Sequence, residues 1–184
     1  MKLEVLEKDS YYHIYNRGIN SCNLFNNKEN YNYFLKLMSK HLLPHISILS
    51  YCLMINHFHF VIKVVSDEKL VTQKFSNFFN AYAKAFNNEQ GRTGSLFEKH
   101  FKRIKLHTED YLKNLILYVH TNPQKHQIIE DFKNYKYSSY KEIIEYQSNL
   151  INCNEVIALF DDLNNFKYVH NHKSIILSEK YSME

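Results

Sequence analysis

From Tyr11 to Asn16 the chain reads YYHIYN, an aromatic and β-branched run that stops at Arg17-Gly18, which predicts a first strand and a turn. From Lys28 to about Leu42, Tyr31, Phe34, Leu35 and Met38 recur at helical spacing among Lys and Asn, the pattern of an amphipathic helix. His45 to Met54 and Asn56 to Val64 are β-rich runs close enough to pair as antiparallel strands. In the second run Phe58, Phe60, Ile62 and Val64 fall on one face, so His57 and His59 share the other. Asp67 to about Asn88 carries Leu70, Phe75, Phe78, Phe79, Tyr82 and Phe86 at helical spacings and predicts a second helix.

The composition then shifts. Gly91-Arg92-Thr93-Gly94 punctuates the chain, and Ser95 to Lys105 sets Lys99, His100, Lys102, Arg103 and Lys105 among Phe97, Phe101 and Ile104, with a further strand expected there. Thr108 is a good N-cap, Glu109 and Asp110 follow where the helix dipole favours acids, and Pro123 is expected to close this third helix. Lys133 to Glu145 is polar and Tyr-rich, and Asn154 to Phe160 predicts a short helix. The order strand, helix, two strands, helix, strand predicts an α+β fold of the ferredoxin-like class, an antiparallel sheet with helices on one face and His57 and His59 on a central strand. Residues 1–140 are expected to form the main domain and 141–184 a helical extension.

Bulk properties narrow the choice of function only modestly. With 45% hydrophobic and 23% charged residues, three Gly and two Pro, the 184-residue chain is an ordered globule. A net charge of +4 permits a polyanionic partner without demanding one. Cys22, Cys52 and Cys153 match neither a disulfide framework nor a paired-cysteine metal site, which implies a reducing cytoplasm. No run approaches the roughly 18 apolar residues of a membrane span, and the charged N-terminus leads into no apolar signal region.

The period of two aims the His57 and His59 imidazoles at one sheet face, about 7 Å apart along the backbone. Such a pair can converge on one ion, and it equally suits two hydrogen-bonded histidines on a half-exposed sheet. In the third helix Leu112, Leu115, Ile116 and Val119 form a core stripe, while Tyr111, Asn114, Tyr118 and Asn122 centre about 100° away. Tyr118 thus borders the stripe, where it can pack with a wet hydroxyl or offer that hydroxyl to chemistry. Asn122 lies one turn on, at the helix end whose dipole welcomes a cation. His120 is turned about 160° from Tyr118 and is excluded from the same site.

NHFHFVI, followed about 60 residues later by YVHTNPQKH, resembles the HUH single-tyrosine transposases, particularly their REP-associated branch. The first segment looks like their His-hydrophobe-His motif, and the second like their tyrosine helix with Asn-Pro four residues after the tyrosine. GRTGSLFEKHFK and YYHIYNRGIN look like their basic segment and first strand, so the likeness covers about Tyr11 to Tyr140. Related single-strand insertion-sequence enzymes carry Gln at the position of Asn122.

The resemblance implies an endonuclease and strand transferase for single-stranded DNA, acting beside a hairpin through a 5′-phosphotyrosine. Tyr118 matches the nucleophile, and His57, His59 and Asn122 match the ligands of a divalent metal, Mg²⁺ or Mn²⁺. Arg17, Arg92, Lys99, Lys102, Arg103 and Lys105 are candidate phosphate contacts, with Phe97 or Phe101 stacking a base. The family includes monomers and also homodimers that exchange the tyrosine helix, and the sequence leaves that choice open. A DNA-binding protein of the same fold that no longer transposes, and a small-substrate metallohydrolase that uses only the histidines, are the alternatives.

Overall fold

A computed structural model describes residues 4–172; residues 173–184, the end of the expected extension, lie outside it. Four strands form one antiparallel sheet: β1 (Tyr11–Arg17), β2 (Ile46–Met54), β3 (His57–Val64) and β4 (Lys102–Leu106). Their order is β2-β3-β1-β4, which with α1 (Lys28–His41) between β1 and β2 and α2 (Glu68–Gln90) between β3 and β4 is the ferredoxin-like topology. The pattern of apolar positions explains the layering. Tyr12 and Ile14 of β1 and Phe58, Phe60 and Ile62 of β3 are fully buried on one face, under α1 and α2. Phe34 of α1 packs its ring on Phe58, Phe60 and Phe78, and Phe79 of α2 stacks on Phe58 at 5.6 Å. Each such ring contributes roughly 2 kcal/mol by leaving water.

Caps set the helix ends. The Asn27 side chain accepts from Asn30 N–H, that of Asp67 from Lys69 N–H, and that of Thr108 from Tyr111 N–H. Gly91 ends α2 in the left-handed region at φ 61°. Gly18 is required for a different reason: a Cβ there would lie 2.0 Å from the Cys22 carbonyl oxygen, so the turn after β1 closes only on glycine.

The third helix, α3 (Glu109–Lys125), departs from two expectations. It packs against β2, β3 and β4 on the sheet face opposite α1 and α2, so the fold has helices on both faces rather than one. The His face of the sheet also needs cover, because His13, Cys52 and His59 are buried there. Pro123 also does not close α3; it sits inside the last turn, where the chain continues to Lys125 and His126 N–H caps on Asn122 O. In α2 the buried residue of the first turn is Val71, while Leu70 is exposed.

Beyond α3, Tyr135 Oη donates to Leu53 O at 2.8 Å and the Tyr137 ring stacks on Tyr31 at 3.6 Å, which makes the Tyr-rich segment part of the packing. Three short helices follow: α4 (Tyr140–Glu145), α5 (Cys153–Leu159) and α6 (Leu163–His172). Phe166 of α6 is fully buried against Tyr140 and Phe160. Cys22, Cys52 and Cys153 form no disulfide with one another.

Candidate active site

The strand period that sends Phe58 and Phe60 into the α1–α2 core turns His57 and His59 to the face under α3. Their ring centroids lie 5.2 Å apart with planes at 87°. Across the ladder Tyr15 stands opposite His59 and Arg17 opposite His57. α3 runs over this pair in the reverse direction to β3. The Tyr118 ring meets His59 edge-on at 5.7 Å, and the His126 ring, two turns later on the same helical face, meets His57 at 5.6 Å. Asn122 is one turn from each and so lies above the imidazole pair.

Asn122 is fully buried, and neither its Oδ1 nor its Nδ2 has a hydrogen-bond partner. Leaving a buried amide unsatisfied costs on the order of 1–3 kcal/mol, so the position asks for a ligand. The two imidazoles are arranged compatibly. His57 Nδ1 donates to Asn56 Oδ1 at 2.8 Å, which puts the lone pair on Nε2. His59 Nδ1 lies 3.0 Å from His13 Nε2, so the outer nitrogen of each ring is held from behind, as in metal-binding histidines. Two imidazole nitrogens and an amide oxygen suit a divalent ion of intermediate hardness. Among the described residues no group of three or more His, Cys, Asp or Glu forms a metal site, so the amide would have to serve as third ligand.

Tyr118 is enclosed, 2% exposed, whereas its helical position predicts a residue at the border of the core stripe. The sheet accounts for it: the Tyr118 ring lies edge-on against His59 of β3. The Lys125 ammonium stands 5.0 Å from the Tyr118 ring centre. His13, also fully buried, is held well below the usual histidine range by burial and by His59 beside it.

A cavity of about 390 Å³ opens over His57 and His59. Arg17, Lys102 and His126 bring positive or titratable groups to it, Asn16, Asn56 and Tyr15 bring hydrogen-bonding groups, and Glu98 pairs with Arg17 at 3.4 Å. Lys102 reaches it because it registers with Tyr15 on the His face. Arg103 and Lys105 register with Ile14 and Tyr12 and so point to the α2 side. Arg103 lies over the Phe101 ring at 4.5 Å, and Lys105 is ion-paired with Glu7. Arg92 lies 6.0 Å over Phe86 just beyond α2, and Lys99 is exposed before β4; neither lines the cavity. Of the six candidate DNA contacts, only Arg17 and Lys102 therefore meet the histidines. Phe97, half-buried, and Phe101, buried, pack against Phe79.

His120 lies apart from the site, as its helical angle predicts. It is buried between His170 Nε2, at 2.9 Å, and Ser139 Oγ, at 2.8 Å. Sequence reasoning missed His13, Asn56, Lys125 and His126. His13 carried a usable signal, since it precedes Tyr15 and Arg17 by the strand period and shares their face. His126 was also within reach, eight residues after Tyr118 on one helical face, but Pro123 hid it by suggesting that the helix had ended.

No protein-family model matches this sequence, and no curated protein matches it. A solved structure does match, that of a REP-associated tyrosine transposase bound to a REP hairpin, with a TM-score of 0.61. This chain has the fold of that transposase. The superposition covers 83% of this chain and 88% of the transposase at 15% sequence identity, so the common ground is the architecture. Among the described residues, no helix is long and apolar enough to cross a membrane.

Proposed function

We propose that this protein is a metal-dependent single-tyrosine transposase of the REP-associated kind, which cuts and rejoins single-stranded DNA beside a hairpin. The observation that carries this reading is the face of α3 on which Tyr118, Asn122 and His126 lie together over His57 and His59. The match in fold to a transposase bound to a REP hairpin supports the same class of DNA partner.

His57, His59 and Asn122 would hold Mg²⁺ or Mn²⁺, which when bound supplies positive charge at the scissile phosphate. Arg17 and Lys102 hold flanking phosphates at the cavity. Tyr118 Oη attacks phosphorus, the bond from phosphorus to the 3′ oxygen breaks, and the phenol's proton passes through solvent to that oxygen. The products are a 5′-phosphotyrosine and a free 3′-OH. Lys125 places positive charge beside the ring whose oxygen must become an anion, first as nucleophile and later as leaving group. Rejoining reverses the step with an incoming 3′-OH and needs no nucleotide cofactor, because the phosphoester is conserved in the link. Tyr118 is enclosed, so in this reading strand binding uncovers it.

That enclosure also favours a second reading, a DNA-binding protein of this fold that no longer cleaves. Hairpin-bearing single strands incubated with Mn²⁺ separate the two. The transposase reading expects a protein–DNA adduct that survives SDS and disappears in EDTA; hairpin binding without any adduct in Mg²⁺ or Mn²⁺ supports the second reading instead.

A further inference from the structure

His13 lies in the first-strand segment, where sequence reasoning assigned it no role, yet its ring is within hydrogen-bond distance of a candidate ligand. It lies on β1, fully buried, two positions along the ladder from the residue opposite His59. Its Nε2 is 3.0 Å from His59 Nδ1, and the two ring planes differ by only 22°, the near-coplanar arrangement of an edge-on hydrogen bond. Tyr15 stacks on both rings, at 5.0 Å from His13 and 6.0 Å from His59, and so limits their rotation.

A neutral imidazole carries one proton, and the hydrogen bond decides where it sits. If His13 Nε2 accepts from His59 Nδ1–H, the lone pair of His59 is on Nε2, able to bind a metal. If His13 donates instead, His59 carries its proton on Nε2 and cannot be a ligand in that state. Asn56 settles the same question for His57 with an oxygen that only accepts. Resting on the metal-site reading above, we infer that His13 is the positioning residue of His59, accepting its Nδ1–H so that the ring is fixed in the metal-binding tautomer and orientation.

The test is Mn²⁺ binding to the DNA-free protein, followed by calorimetry or by the loss of the free-ion electron paramagnetic resonance signal, with no catalytic readout. His13→Phe keeps the ring and removes the acceptor; it is expected to weaken Mn²⁺ binding roughly 10- to 100-fold. His13→Gln, whose Oε1 can accept from the same N–H, is expected to recover most of the affinity, which a purely space-filling role would not produce. His13→Leu replaces the phenylalanine variant if that one does not fold, and hairpin binding in EDTA reports the fold of each. Wild-type affinity in His13→Phe or His13→Leu, or a His13→Gln variant as weak as they are, overturns the positioning role. A wild type that binds no Mn²⁺ overturns the metal-site reading and the role of His13 with it.

Discussion

In the proposed metal site, stability and ligand binding pull in opposite directions at Asn122. Its amide is buried with no partner, which no packing gain requires, because a Leu of similar volume fills such a place without polar atoms to desolvate. Asn122→Leu is therefore expected to stabilise the metal-free protein by roughly 1–2 kcal/mol in denaturant titration while weakening Mn²⁺ binding. A destabilised variant would mean that the amide serves the fold. At this scale the sequence was informative where a side chain's role follows from its own strand or helix. The shared face of His57 and His59 and the alignment of Tyr118 with Asn122 were legible in it. The His13–His59 bond and the burial of Tyr118 were not, because both depend on which strands and helices become neighbours.

At the scale of elements, β4 shows how a charge cluster in sequence separates in space. KRIKL alternates faces, so Lys102 faces the histidines while Arg103 and Lys105 face α2. Lys102→Ala is expected to weaken hairpin binding and to lower the salt dependence of log Kd by about one, as loss of one phosphate contact does. Lys105→Ala, which removes an ion pair with Glu7, is expected to leave both unchanged in the same titrations. The period of two was available to divide this segment, but only the sheet order tells which face the site occupies. The elements themselves were largely legible: β1, α1, β2, β3 and α2 follow their apolar periods to within about two residues. α3 runs past Pro123 even though the proline donates no backbone N–H and crowds the carbonyl one turn earlier; only Gln124 and Lys125 follow it in the helix, and the His126 N–H bond to Asn122 O closes the end.

For the whole molecule, the three short C-terminal helices are tied to α3 through a buried chain of neutral groups. His170 Nδ1–H donates to Phe166 O at 2.7 Å, His120 Nδ1–H donates to His170 Nε2, and Ser139 Oγ–H donates to His120 Nε2. Ser139 Oγ in turn accepts from Tyr51 N–H of β2 at 2.9 Å, which joins the extension to the sheet. No acid stands in this chain to balance a proton. Burial pushes His170 down to about 4 and His120 well below the usual range. Because the folded values are depressed, the stabilisation is fully present above the unfolded histidine value of about 6.5 and is lost as pH falls toward 4. Denaturant titrations at pH 7.5 and 4.5 are expected to differ by roughly 2–3 kcal/mol through His170 alone, and His170→Phe should remove that part of the difference. The sequence flagged residues after about Tyr140 as an appendage, but only the packed structure shows what anchors it.

The proposed function turns on Tyr118 as the nucleophile, an enclosed residue among fourteen other tyrosines. The direct measurement is mass spectrometry of the SDS-stable adduct formed on a hairpin-bearing single strand with Mn²⁺, alongside the Tyr118→Phe variant. The nucleotide is expected on the peptide that contains Tyr118, with no adduct from the variant. An adduct mapped to another residue, or one that forms at full level in Tyr118→Phe, would contradict that assignment.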